Sequence, residues 1–160
     1  MNDRAFHIFH PNFKGTGSAL RITLRPADEI MRGHVCLDIV PQRSVDGIEG
    51  EGKTFPTFSW GDGKISLRLD AMDVGKVLSV LRGYEESIAD GKGLVHLKTD
   101  KTARLTLEHV VDPTPAYRLT AVCAKDGEAE KKVGILLTPN EALVLEAALT
   151  SSMGRICFGD

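Results

Sequence analysis

A chain of 160 residues with 42% hydrophobic and 26% charged side chains has the size and composition of one globular domain with a full core. Its 20 Lys and Arg against 22 Asp and Glu give a formal net charge of −2, which excludes bulk positive charge as the means of holding a polyanion and leaves only local placement. No apolar run reaches the about 18 residues of a membrane span, no apolar stretch follows Met1 as in a secretory leader, and the scattered Cys36, Cys123 and Cys157 fit reduced thiols in a cytoplasm rather than a disulfide framework.

In chain order, Phe6 to Phe13 is an aromatic lead-in without a legible period. Lys14-Gly15-Thr16-Gly17-Ser18 reads as a turn; it lacks the preceding strand and the Gly-Lys-Ser/Thr ending of a phosphate loop. Residues 19–25 alternate, Leu20, Ile22 and Leu24 one way and Arg21, Thr23 and Arg25 the other, as a half-buried strand does. Residues 34–40 repeat the pattern, with Val35, Leu37 and Ile39 on the core side and His34, Cys36 and Asp38 opposite. The glycines and charges of 41–53 predict an open hairpin loop, and 54–60 a third strand in which Pro56 marks an edge or bulge. Gly61-Asp62-Gly63 turns the chain into a fourth strand, 64–69.

At Asp70 the period changes from 2 to 3.6. Val74, Val77, Leu78 and Leu81 fall on one helical face, Asp70 supplies an N-cap and Asp73 first-turn negative charge, so a helix is expected from there to about 87–88 unless Gly83 cuts it short. After a turn at 89–93, strands follow at 94–98, around Leu105 and Leu107, and at 117–123; Asp112-Pro113-Thr114-Pro115 is a rigid turn between the last two. Val133, Ile135 and Leu137 alternate once more, and Thr138-Pro139-Asn140-Glu141 then provides an N-cap Thr, a Pro in the first turn and the Glu of a capping box. This strand-to-helix junction matches residues 64–81 at a constant offset of 68 positions. The expectation is a single α+β domain over 1–160 made of two β-β-β-β-α repeats, approximately 19–88 and 93–158, with curved antiparallel sheets packed with helices.

If each strand buries its aliphatic side, the other side displays Arg21, Thr23, Arg25, Lys64, Ser66, Arg68, Arg104, Thr106, Arg118 and Thr120. Their donors suit phosphate oxygens, and Phe55, Phe58, Trp60 and Tyr117, with Phe9 and Phe13 if the lead-in folds over the sheet, are candidates to stack bases. The plainer reading of alternating Arg and Thr is a solvated face, and of Trp60 a core residue. His34 and Cys36 share a strand face, but no second ligand cluster accompanies them and no metal or cofactor is expected. No Ser/His/Asp or Cys/His order and no paired carboxylates mark an active site, so an enzyme is not expected.

The order of four strands, helix, four strands, helix, with Lys14-Gly15 ahead of Ala19-Leu20 at the first strand, resembles the Whirly proteins, whose corresponding stretch is Lys-Gly-Lys-Ala-Ala-Leu. Gly-His-Val-Cys-Leu-Asp-Ile-Val-Pro at 33–41 is similar to the family's second strand, and Phe58-Ser59-Trp60 to its Tyr-Asp-Trp. Leu137-Thr138-Pro139-Asn140-Glu141-Ala142 sits where Whirlies carry Ile-Thr-Lys-Ala-Glu-Phe. The resemblance runs over roughly 9–158 and implies a single-stranded DNA-binding fold, shared with transcriptional coactivators and some guide-RNA-binding proteins, that assembles as a tetramer. The chain expected on these grounds binds single-stranded DNA or RNA in transcription, replication or repair through Lys14, Arg21, Thr23, Arg25, Phe58, Trp60, Lys64, Arg68, Arg104, Tyr117 and Arg118. The second helix carries Leu143 and Val144 beside Leu145 and Leu149, more apolar surface than one core-facing stripe needs, which points to helix packing between subunits of a homo-oligomer. The alternative is a structural or protein-interaction module that keeps the scaffold without the ligand.

Overall fold

Residues 5–50 and 53–159 are described by the computed structural model of the chain, so Glu51 and Gly52, within the expected open loop, lie outside the described residues. The elements are β1 (Ala5–His10), β2 (Ser18–Arg25), β3 (His34–Gly50), β4 (Lys53–Phe58), β5 (Ile65–Leu69), α1 (Ala71–Leu81), β6 (Leu94–Lys98), β7 (Lys101–Val110), β8 (Ala116–Lys125), β9 (Lys131–Leu137) and α2 (Pro139–Phe158). Neighbouring strands pair antiparallel. One sheet follows β1-β2-β3-β4 with β5 also on β3, and the other follows β6-β7-β8-β9. The expected α+β architecture is present, two antiparallel sheets each leading into a helix.

Alternation decides which side of each strand is dry. Leu20 and Ile22, Val35, Leu37 and Ile39, and Ile65, Leu67 and Leu69 enter a core shared with Leu105 and Leu107, Leu119 and Ala121, and Ile135 and Leu137. Val74, Val77, Leu78, Val80 and Leu81 of α1 and Ala142, Leu145, Leu149 and Ile156 of α2 close it. Fully burying one such aliphatic side chain contributes about 1.5–3 kcal/mol. Both helices start on the caps expected. Asp70 accepts from the Asp73 N–H at 2.9 Å, and Thr138 and Glu141 form the reciprocal capping box. The Glu141 carboxylate also meets His10 Nε2 at 2.7 Å, which pins β1 to the start of α2.

Three expectations need correction. The aromatic lead-in is a strand, β1, and its period is hidden because both of its faces are apolar or aromatic: Phe6 and Ile8 turn to the core, His7 and Phe9 away from it. Much of the expected loop at 41–53 is the second half of β3, which pairs with β4 through two register shifts. Helix α1 stops at Leu81, well short of 87–88, because Gly83 adopts φ 76° and the N–H groups of Arg82, Gly83 and Tyr84 fold back on the carbonyls of Leu78, Val80 and Ser79.

The ribbon of β3 and β4 leaves the sheet at Pro41 and Gln42. The Gln42 side chain is buried and uses its whole hydrogen-bonding capacity there. Its Oε1 accepts from the N–H groups of Asn12 (2.8 Å) and Gly17 (3.1 Å), while its Nε2 donates to the carbonyls of Asn12 (3.0 Å) and Ser44 (3.1 Å). It therefore fixes the β1–β2 turn against the root of the ribbon. Gln42→Met, which keeps the volume and removes every bond, orphans two backbone donors and is expected to lower stability by about 2 kcal/mol or more in urea denaturation; an unchanged midpoint would contradict this role.

Candidate nucleic-acid interface

Register across β1, β2, β3 and β5 sets His7, Arg21, Asp38 and Ser66 in one row on the outer face of the first sheet, and Ala5, Thr23, Cys36 and Arg68 in the next. A cleft of about 600 Å3 lies over these rows, with Arg25, Lys64 and Lys98 completing its lining. Five of the residues expected from sequence, Arg21, Thr23, Arg25, Lys64 and Arg68, are thus brought together on one surface.

Its centre is not a bare cation. Arg21 Nε donates to Asp38 Oδ2 at 3.0 Å, a second guanidinium nitrogen reaches the same oxygen, and the Ser66 hydroxyl donates to Asp38 Oδ1 at 2.5 Å. The Asp38 side chain is only 9% exposed, against 29% for Arg21, so the carboxylate is held within the sheet surface while the guanidinium stays reachable. Above it the Arg21 Cζ lies 4.7 Å from the Trp60 ring centroid, a cation–π geometry. Asp38 and Ser66 fix the arginine in the plane that Trp60 covers.

Trp60 belongs to an aromatic group built by β1 and the end of the ribbon. His7 meets its ring edge-on at 5.7 Å, Phe9 lies 6.4 Å away, Phe9 stacks on His7 at 5.5 Å, and Phe58 lies 5.4 Å from Phe9. An apolar groove of about 480 Å3 runs between Phe9, Pro11, Phe55, Phe58 and Trp60. Phe9 and Phe55 are each about half exposed, so flat apolar surface borders the basic cleft directly.

The other expected residues lie elsewhere. Lys14 is exposed on the β1–β2 turn and lines neither the cleft nor the groove. Arg104 and Arg118 are exposed on the outer face of the second sheet, Arg118 ion-paired with Glu108 at 2.7 Å. Tyr117 stands on the inner face of β8, its hydroxyl donating to the Leu81 carbonyl at 3.4 Å and its ring 4.9 Å from His109, so it does not share a surface with Arg118. His7, Asp38 and Lys98 enter the site without having been expected in it. Strand alternation places Asp38 on the outer face, but only register shows its partners.

His34 closes one end of this face, paired with Arg25 across to β2 and buried. Its Nδ1–H donates to the Arg32 carbonyl at 3.4 Å. Burial above all, then the Arg68 and Arg25 guanidiniums, outweigh that bond and hold its pKa below the ordinary 6.5. The unfolded chain therefore binds the proton more readily than the folded one, so His34 contributes stability above pH 6.5 that is lost progressively as pH falls below it. Thermal melts of His34→Gln are expected to show a weaker loss of midpoint from pH 6.5 downward than the parent chain; parallel profiles would contradict the assignment.

No family model and no curated protein matches the chain. Among solved structures it is similar to WHY1 from Arabidopsis thaliana, with a TM-score of 0.72 over 96% of this chain and 86% of that one, at 17% sequence identity. The fold is Whirly-like.

Proposed function

We propose that the protein is a non-enzymatic single-stranded nucleic-acid-binding protein, with single-stranded DNA as the principal ligand, acting in transcription, replication or repair. The observation that carries the reading is Arg21 held 4.7 Å from the Trp60 ring centroid where a basic cleft meets an exposed aromatic group. Phosphates suit Arg25, Lys64 and Arg68, and unstacked bases suit Phe9, Phe55, Phe58 and Trp60, the pairing of charge and flat surface that unpaired strands require. The Whirly-like fold and the motif resemblance support it. The same reading treats the two sheet-plus-helix halves, about 19–88 and 93–158, as copies of one unit and places the protein in a cytoplasm. No helix among the described residues is long and apolar enough to cross a membrane.

Oligo-thymidylate of about 20 nucleotides is expected to quench Trp60 fluorescence with salt-weakened affinity. Because Arg21 also neutralises Asp38, Lys64→Gln with Arg68→Gln is the cleaner test of the cations. It should reduce the slope of log K against log salt by about 1.4, roughly 0.7 for each phosphate no longer neutralised. Trp60 emission unmoved at low salt would overturn the reading and leave a protein-interaction module on the same scaffold.

The proposal extends to assembly. On α2, Leu143 is 66% and Val144 50% exposed although Leu145 and Leu149 are buried, and a homo-oligomer, a tetramer by the Whirly resemblance, would cover them. Sedimentation equilibrium is expected to give a multiple of the chain mass that Leu143→Lys with Val144→Lys reduces; a monomer mass for the parent chain would reject it.

A further inference from the structure

We propose that a bound single strand continues from the sheet face into the seam between the two sheets, where a row of lysines holds its phosphodiester backbone. This rests on the single-strand reading above and extends its site onto residues that reading does not use. A second cleft of about 440 Å3 adjoins the first and shares Lys64 and Ser66 with it, then passes Lys101, Lys125 and Lys131. One basic path thus runs from Arg25 and Arg68 on the first sheet to the ends of β7, β8 and β9.

The strand registers explain how the lysines come together. Lys98 stands opposite Lys101 on the β6–β7 hairpin, and Lys101 stands opposite Lys125 on β8. Three like charges therefore form one row across three adjacent strands, on the face that carries Ala103 and Cys123. Like charges directly opposite each other destabilise a sheet. The row is offset in part: Lys125 Nζ lies 3.1 Å from Glu128 and also feels the Asp100 carboxylate on the β6–β7 turn, while the neighbouring Lys131 donates to the Asp62 carbonyl at 2.9 Å and ties the start of β9 to the β4–β5 turn. Lys64, Lys101, Lys125 and Lys131 still outnumber Asp62 and Glu128 along the cleft. The hairpin tip places Lys98 in the first cleft and Lys101 in the second, so it bridges them.

The ligand chemistry follows from what the second cleft lacks. Among the described residues its lining includes no aromatic side chain, so it offers bases nothing to stack on, whereas ammonium groups meet phosphate oxygens without regard to sequence. The platform near Trp60 takes bases and the seam takes backbone, which makes the seam matter only for strands long enough to reach it.

The test compares the full chain with Lys101→Gln/Lys125→Gln/Lys131→Gln, using oligo-thymidylates of about five and about 20 nucleotides. For the longer strand the triple variant is expected to bind more weakly, with a salt slope smaller by about 2. Binding of the short strand and its quenching of Trp60 should not change, and the melting temperature should hold or rise as the like-charge row is relieved. Wild-type slope for the long strand in the variant, or equal weakening for both lengths, overturns the track while leaving the platform intact. Failure of either strand to quench the parent protein instead overturns the single-strand reading itself, and the track with it.

Discussion

The outer face depends on one strand changing partners. Through residues 35–39, β3 pairs with β2 on one side and β5 on the other, and contributes Val35, Leu37 and Ile39 to the core. Beyond Pro41 it leaves β5 for β4, and the switch is held by Gln42, whose amide is bonded to Asn12, Gly17 and Ser44. With the switch, the returning chain carries Phe58 and Trp60 over β1 and β2, where Trp60 reaches Arg21 and Phe58 reaches Phe9. The arginine of the candidate site is therefore fixed by a buried carboxylate and its tryptophan packed by neighbouring rings.

The two sheets serve that site unequally. The first presents its outer face with cations, hydroxyls and rings in register. The second turns Arg104 and Arg118 outward among Val95, Leu97 and Leu136, which are partly or largely exposed, and carries its closest-set positive charge at one end, in the lysine row. Between them the core is continuous, and α2 is anchored at both ends: His10 binds Glu141 near its start, and close to its end the Ala27 N–H donates to the Arg155 carbonyl at 3.0 Å. Gly33 lets the chain approach there, since a Cβ would come within 2.6 Å of the Ile156 backbone. The first sheet is thereby held in a fixed relation to the helix that closes the core.

Much of the scaffold was legible in the sequence because its signals are local. Residues 65–69 and 133–137 alternate cleanly, and Asp70, Thr138 and Glu141 announce the helices through bonds made within one turn. The misreadings share a physical cause. Phe6 to His10 has apolar or aromatic groups on both faces, so the period of 2 vanishes; Gly83 ends α1 through a backbone conformation that periodicity does not register; and the second half of β3 has the composition of a loop but is held by its partner strand. At the candidate site, alternation placed Arg21, Thr23, Arg25 and Arg68 on the one face where the structure has them. It could not identify what depends on register between distant strands: the Asp38 carboxylate under Arg21, His7 beside Trp60, or Lys98, Lys101 and Lys125 in a row.

The Arg21–Asp38 pair has one consequence for what the surface discriminates against. A guanidinium matched to a carboxylate projects little field beyond its immediate surroundings, so the middle of the face exerts no distant pull on a charged rod. A double helix turns its bases inward and presents phosphates, and such a centre gives it little to hold. An opened strand presents rings, for which the proposed function offers Trp60 and Phe9. On the single-strand reading, preference for melted over duplex polynucleotide comes from a charge cancelled in place.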